Sequence, residues 1–156
     1  KNIYAIDKNK KNLKIAKKLG CKKIYSLDAF NKNIMNLKIN KKLIKYNIEI
    51  SGNVKMMEMA IKNLSPEGTC ILAGNIKHGF KIKINPYELI FGKKIYGFSG
   101  NDLPLDKNIK KYVRIINKIS FKKLRKIFKN YKFENINKAI FDFQKGKILR
   151  PLISFE

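Results

Sequence analysis

An aspartate directly follows an apolar run near the start of the chain, in Ile3-Tyr4-Ala5-Ile6-Asp7. A helical pattern comes next, and Gly20 closes it. Strand, acid, helix and glycine in this order are typical of the second βα unit of a dinucleotide-binding fold, whose acid accepts hydrogen bonds from ribose hydroxyls. The first unit, with its glycine-rich pyrophosphate turn, is then expected about twenty residues upstream of Asp7.

Glycine-containing turns follow three further predicted strands. Ser51-Gly52 comes after a strand that ends at Ile50, Ala73-Gly74-Asn75 ends the next one, and Ser99-Gly100 ends a third. A cofactor lies across the carboxyl ends of the strands in a doubly wound sheet, and glycine there lets the backbone approach it. Ordinary βα turns use the same residues, so both interpretations stay open at this point.

Arg150 is one of only three arginines among 36 basic residues. Its planar guanidinium can grip a pyrophosphate at two points, which a lysine cannot do. The alternative is a surface arginine that precedes the closing strand.

Metal and nucleophile chemistry has little support in the sequence. His78 is the only histidine, and Cys21 and Cys70 stand alone without CxxC spacing. We expect both thiols to be buried small side chains in a reducing compartment, and we place the protein in the cytoplasm. No catalytic or metal-binding residue is predicted.

The net charge of +25 raises the alternative of a nucleic-acid-binding protein. The lysines are spread over every segment, however, and arginine is scarce, whereas surfaces that bind phosphate usually use both. We therefore consider nucleic acid an improbable partner. The apolar runs are too short for a membrane span, and no membrane partner is predicted.

The first half of the chain alternates between strand and helix patterns. The predicted elements are a helix over Asn9–Leu19, a strand over Lys23–Leu27, a helix, broken or continuous, over 28–45, a strand over Tyr46–Ile50, a helix over Val54–Leu64 and a strand over Thr69–Ala73. Met57, Ala60, Ile61 and Leu64 form the predicted buried face of the Val54–Leu64 helix. This alternation predicts an α/β fold with a doubly wound parallel sheet.

The rhythm changes after residue 74. Phe80–Ile84 alternates with period two, which predicts an edge strand with one face exposed. The remaining predicted elements are a short helix over Tyr87–Phe91, a strand over Lys94–Phe98, helices over Ile109–Ile119, Phe121–Asn130 and Ile136–Gln144, and a strand over Leu149–Phe155. A domain boundary is expected within 99–106.

Four segments together resemble the C-terminal half of the zinc-type alcohol dehydrogenases, in the medium-chain dehydrogenase/reductase family. They are Ala5-Ile6-Asp7 with Leu13, Ala16, Lys17, Leu19 and Gly20; Glu49-Ile50-Ser51-Gly52-Asn53; Gly68-Thr69-Cys70-Ile71-Leu72-Ala73-Gly74; and Asn135–Ile140 with Gly146-Lys147-Ile148-Leu149-Arg150-Pro151. Each segment is weak alone, but their order and spacing are fairly specific. The resemblance covers nearly the whole chain.

The resemblance implies a set of cofactor-binding residues. They are Asp7, Asn12, Ile50, Ser51, Gly52, Ala73, Gly74, Asn75, Ser99, Gly100 and Arg150. Asp7 would bind the adenosine ribose and repel a 2′-phosphate, so NAD is favoured over NADP. Arg150 would reach the pyrophosphate. Asn12 departs from the family, whose members often carry lysine five residues after the ribose acid, and this puts the second ribose contact in doubt.

The resemblance also implies a domain organisation. Residues 1–101 would be a Rossmann-like NAD-binding domain that lacks its first βα unit. Residues 102–156 would form a helical and strand segment that returns to the GroES-like catalytic domain. The zinc ligands of the complete enzyme would lie outside this chain, so the chain alone is expected to be inactive.

The resulting hypothesis is the cofactor-binding portion of an NAD-dependent, zinc-type alcohol or polyol dehydrogenase, whose substrate is a small alcohol or carbonyl compound. A homodimer is expected through the edge strand Phe80–Ile84, as in related enzymes. One alternative is a non-catalytic interaction module that kept the sheet. The other is the basic nucleic-acid-binding protein described above.

Overall fold

The computed structural model describes residues 2–29, 44–100, 105–118 and 125–155. The helix predicted over 28–45 falls almost entirely outside the described residues. Among the residues described, no helix is long and apolar enough to cross a membrane.

Seven strands and five α-helices are described, and their order along the chain is close to the predicted one. They are β1 Tyr4–Asp7, α1 Lys10–Lys18, β2 Lys23–Ser26, β3 Tyr46–Glu49, α2 Val54–Lys62, β4 Thr69–Leu72, α3 Pro86–Ile90, β5 Lys94–Gly97, α4 Leu105–Asn117, β6 Phe128–Lys132, α5 Ile136–Gln144 and β7 Arg150–Ser154.

Every strand pair in the described part of the chain is parallel. The sheets are β1-β2, β3-β4-β5 and β6-β7. The predicted parallel, Rossmann-like α/β fold is confirmed.

The chain divides into two compact units, which are described separately. Unit 1 comprises Lys1–Asn36 with Ile109–Glu156, and unit 2 comprises Leu37–Asn108. These units are not the two domains predicted from the sequence, which meet between residues 101 and 102. The predicted domains are those of the complete enzyme, and that boundary stays a prediction.

In unit 1, α1 starts immediately after β1 because Asn9 caps it. The Asn9 side chain accepts a hydrogen bond from the Lys11 backbone N–H, and Lys17 and Lys18 lie in the last turn, where the helix dipole favours cations. Leu13 is the buried residue of this helix, and it holds α1 against the strands.

In unit 2, the core lies between α2 and the three-stranded sheet. The predicted inner face of α2 is confirmed, because Met57, Ala60, Ile61 and the following Leu64 are all buried. Cys70 of β4 is fully buried within this cluster, as predicted.

The predicted strand over Phe80–Ile84 is wrong for the single chain. Residues 80–84 pair with no described strand. Ile82 and Ile84 do pack on the core of unit 2, so the alternation correctly marked one apolar face. The Lys83 N–H donates to the Glu58 carboxylate of α2 at 2.8 Å, and not to the backbone carbonyl of a neighbouring strand.

The predicted helix over Phe121–Asn130 is also wrong where it is described. Residues 125–127 form a 3₁₀ turn, and β6 starts at Phe128. Residues 119–124 lie outside the described part. The pairing of β6 with β7, about twenty residues further on, overrides the local helical spacing.

Candidate functional site

Asp7 lies at the carboxyl end of β1 with its carboxylate held from two sides. Oδ1 accepts a hydrogen bond from the Asn9 backbone N–H at 2.7 Å, and Oδ2 accepts one from Asn12 Nδ2 at 3.0 Å. Asp7 is half-buried. A carboxylate offers about four acceptor positions, so these two bonds orient the group and leave capacity for a ligand.

Asn12 therefore takes part in the arrangement around Asp7, but in a different way from a lysine. Its amide stays within α1 and braces the carboxylate without adding charge. The structure brings Asp7 and Asn12 together through this hydrogen bond, and a ribose contact of Asn12 itself stays a prediction.

Arg150 is the first residue of β7, and it is exposed. It lies opposite Phe128 in the parallel ladder of β6 and β7. Asp7 and Arg150 belong to the same compact unit, unit 1.

Glu49 organises the turn after β3 and was not among the predicted site residues. Its side chain is 6% exposed, and Oε1 accepts hydrogen bonds from both the Ser51 N–H, at 2.8 Å, and the Ser51 hydroxyl. Oε2 accepts one from the Gly52 N–H at 3.3 Å. An acid directly before the Ser51-Gly52 turn was the available signal, because a buried carboxylate must find donors and the N–H groups of a turn supply them.

The turns after β3 and β4 touch through their glycines. A Cβ on Gly52 would lie 2.0 Å from the Asn75 carbonyl oxygen, and Gly52 has a φ of +66°. A Cβ on Gly74 would lie 2.2 Å from the Gly52 nitrogen and 2.8 Å from Glu49 Oε2. Only glycine allows these two backbones to come so close, so both residues are required by the fold itself.

A cleft of about 430 Å³ opens at the carboxyl ends of β4 and β5. Its lining includes Ala73, Gly74 and Asn75 from one strand end and Phe98 and Ser99 from the other. The structure thus brings together four residues that were predicted from separate turns. The lining combines the backbone of two strand ends with apolar side chains such as Phe98, and such a cleft suits a ligand that has an apolar ring and a few polar groups.

The other predicted residues of unit 2 stand apart from the cleft lining. Ile50 is 75% exposed directly after β3. Gly52 does not line the cleft, but it lies directly against Gly74 and Asn75, which do. Gly100 has a φ of +87°, and a Cβ there would meet no atom within 4 Å, so its turn geometry alone favours glycine.

The described residues contain no cluster of three or more His, Cys, Asp or Glu side chains that could hold a metal. Both cysteines are free thiols. Burial, with a smaller contribution from the Glu49 charge, raises the pKa of the Cys70 thiol to about 11. A zinc ligand must be a thiolate, so Cys70 does not fit that role.

A family model described as zinc-binding dehydrogenase matches residues 2–118. The chain belongs to the zinc-binding dehydrogenase family. The resemblance drawn from the four sequence segments is thereby confirmed.

Three solved structures show the same fold. Benzyl alcohol dehydrogenase from Acinetobacter calcoaceticus aligns with a TM-score of 0.87 and 24% identity, over 99% of this chain and 43% of that one. An alcohol dehydrogenase zinc-binding domain protein from Burkholderia ambifaria has a TM-score of 0.79 and 22% identity, over 99% and 42%. An oxidoreductase from Salmonella enterica in complex with NADP has a TM-score of 0.75 and 13% identity, over 99% and 47%. This chain spans less than half the length of these proteins.

Proposed function

We propose that this chain is the C-terminal, cofactor-binding portion of an NAD-dependent, zinc-type alcohol or polyol dehydrogenase. The family membership supports a dehydrogenase, and the strand-end residues of each unit, taken separately, support binding of a nicotinamide dinucleotide. When bound, the dinucleotide supplies the hydride acceptor or donor. The residues of this chain bind and orient it.

The observation that carries the proposal is the held carboxylate of Asp7. An oriented acceptor at the carboxyl end of this strand matches a pair of ribose hydroxyls. Its negative charge disfavours a 2′-phosphate, which supports NAD over NADP. The Salmonella protein with this fold was solved in complex with NADP, so the proposed preference for NAD rests on Asp7 and not on the fold.

The nicotinamide end would occupy the cleft after β4 and β5. Its carboxamide has both donors and acceptors, and main-chain groups near Ala73, Asn75 and Ser99 can match them. Arg150 would pair with the pyrophosphate. Zinc would be held by residues outside this chain, because the described residues do not provide a suitable set.

The cytoplasm as the location and a homodimer through residues 80–84 are further parts of the proposal. The single chain leaves this segment without a ladder, and Phe80 is 62% exposed, so a second copy could supply the pairing strand. Sedimentation of the complete enzyme as a monomer would exclude the dimer.

The test uses Asp7→Ala and Asp7→Asn in the complete enzyme, with NAD and NADP affinities measured by calorimetry. Loss of a hydrogen bond to a charged group should weaken NAD binding about tenfold in Asp7→Ala. Asp7→Asn removes the charge at nearly constant shape, so the preference for NAD over NADP should shrink.

Glu134→Gln is the matched control, because it removes one exposed carboxylate in the same unit, away from the proposed site. It should leave both affinities unchanged. An NAD affinity that is the same in Asp7→Ala as in the parent enzyme would remove Asp7 from the site and overturn the proposal.

A further inference from the structure

Besides accepting the helical bond from the Leu13 N–H at its carbonyl, Asn9 makes three hydrogen bonds, and one of them joins distant parts of unit 1. Its N–H donates to Asp7 Oδ1 at 2.7 Å, and its Oδ1 accepts from the Lys11 N–H at 2.9 Å. Its Nδ2 donates to the Gly146 carbonyl oxygen at 3.0 Å, across 137 positions of sequence. The partners fix the orientation of the amide, because a backbone N–H only donates and a carbonyl only accepts.

Capping of α1 does not require the bond to Gly146. An N-cap uses the side-chain oxygen, and serine or aspartate would serve equally well. Asn85 illustrates this, since it caps α3 through the same contact, with its Oδ1 accepting from the N–H two residues later. The second function of the Asn9 side chain is therefore specific to its place beside Gly146.

The Gly146 carbonyl is itself held in a defined position. The Lys147 N–H donates to the Asp142 carbonyl and the Gly146 N–H to the Phe143 carbonyl, which is the Schellman pattern that ends α5. Gly146 has a φ of +64°, and a Cβ there would lie 3.1 Å from Asn9 Nδ2. Glycine thus provides both the turn and the close approach.

The segment after Gly146 is anchored at a second point before it reaches Arg150. Lys147 forms an ion pair with Asp142 at 3.3 Å, and Asp142 is buried and accepts a hydrogen bond from the Tyr131 hydroxyl of β6. Arg150 then enters the ladder beside Phe128. Asn9 therefore connects the backbone beside Asp7 with an anchored segment that ends at Arg150.

We infer that Asn9 is a positioning residue that sets the proposed ribose acceptor, Asp7, relative to the proposed pyrophosphate ligand, Arg150. This inference rests on the proposed function. Ribose and pyrophosphate are neighbouring parts of an ADP-ribosyl group, so the ligand gains from both contacts only when their spacing is preset. The ligand class is any nucleotide that carries an ADP-ribosyl moiety.

The test compares Asn9→Ser and Asn9→Asp with the control Asn85→Ser, in the complete enzyme, with ADP-ribose as the probe. Both Asn9 variants keep the cap oxygen and the N–H that binds Asp7. Aspartate has no donor for the Gly146 carbonyl, and the serine hydroxyl is one atom too short to replace Nδ2 while it caps the helix. Loss of one such hydrogen bond should weaken ADP-ribose binding about fivefold. Asn85→Ser should bind ADP-ribose as tightly as the parent does. Its change in thermal unfolding midpoint gives the effect of replacing an asparagine cap by serine, with which the Asn9→Ser midpoint is compared.

A double-mutant cycle distinguishes positioning from a merely structural role. Arg150→Ala should weaken ADP-ribose binding strongly in the parent and clearly less in Asn9→Ser, because the arginine is no longer held in register. The inference would be overturned if the fold-changes in ADP-ribose affinity of the two single variants multiply in the double variant, or if Asn9→Ser leaves the affinity unchanged. If Asp7→Ala weakens binding while Asn9→Ser does not, the inference alone fails. If Asp7→Ala and Arg150→Ala both bind as the parent does, the proposed function fails with it.

Discussion

The candidate residues of unit 1 are polar and charged side chains held by hydrogen bonds, whereas those of unit 2 are mainly backbone and glycine atoms, held by close packing and by the buried Glu49. In unit 1 the buried centre near Arg150 is the carboxylate of Asp142 with its tyrosine and lysine partners. In unit 2 it is an apolar cluster around Ile61 and Cys70. The contrast fits the part of the ligand that each unit would contact. Unit 1 would bind the ribose and the pyrophosphate, which need charged and polar partners, and unit 2 would bind the nicotinamide ring, which needs a cleft of matching shape.

This difference predicts that unit 2 is sensitive to added or removed volume and that unit 1 is sensitive to pH. A hydrogen bond to a carboxylate contributes little net free energy, but its contribution depends on whether the carboxyl group is protonated. In a closely packed region, added or removed atoms lower the free energy of unfolding. Three substitutions probe the contrast.

The largest effect is expected from Gly52→Ala. The new methyl group would collide with the Asn75 carbonyl, and alanine disfavours the φ of +66°. Together these should lower the free energy of unfolding by about 4 kcal/mol, measured by urea titration. Gly97→Ala is the control, because no atom lies within 4 Å of its Cβ position. Equal midpoints for the two variants would show that the strand-end turns are not packed as described.

Ile61→Ala should have the next largest effect. Ile61 is 2% exposed at the centre of the apolar cluster, and its truncation should cost about 3 kcal/mol through lost burial and a cavity. Ile48→Ala removes the same atoms from a side chain that is 64% exposed in the same unit. A similar loss at both positions, in the same urea titration, would contradict an apolar core at Ile61.

The smallest effect, confined to acid pH, is expected from Tyr131→Phe. The hydrogen bond from Tyr131, helped by Lys147 and opposed by burial, lowers the pKa of Asp142 below its ordinary 3.8. A carboxyl group with a lowered folded-state pKa stabilises the fold above its unfolded-state pKa, and this contribution is lost as pH falls through the folded-state value. Without the hydroxyl the pKa of Asp142 should rise, so acid unfolding should start at a higher pH.

Circular dichroism during acid titration measures this shift. Tyr96→Phe is the control, because it removes the same hydroxyl from a tyrosine that is 56% exposed and belongs to unit 2. Identical acid midpoints for Tyr131→Phe and the parent would mean that Asp142 gains nothing from its tyrosine partner.

Local patterns were sufficient for the elements whose signals are complete within a few residues. The helix over Ile136–Gln144 was predicted with the bounds that the structure gives, because an apolar face and a terminal glycine both mark it. The buried face of α2 was likewise predicted residue by residue. At the candidate site, the acid after β1 and the glycines after β3 and β4 could be located in the same way.

Patterns failed where a distant partner decides the structure. Residues 80–84 have strand alternation but bond to a side chain of α2, and Phe128 to Asn130 have helical spacing but pair with β7. Both outcomes depend on which backbone lies alongside, and a local pattern does not carry that information.

The sequence by itself determined the class of the fold, the family and the types of residue at the strand ends, because these depend on short-range periodicity and on residue chemistry. Only the tertiary structure decided how those residues are used. It showed that Gly52 and Gly74 are glycine because their backbones touch, that Glu49 is the buried acceptor beneath them, and that Asn9 links Asp7 to the segment of Arg150. Such contacts join positions far apart in the chain, and only the folded backbone brings them within bonding distance.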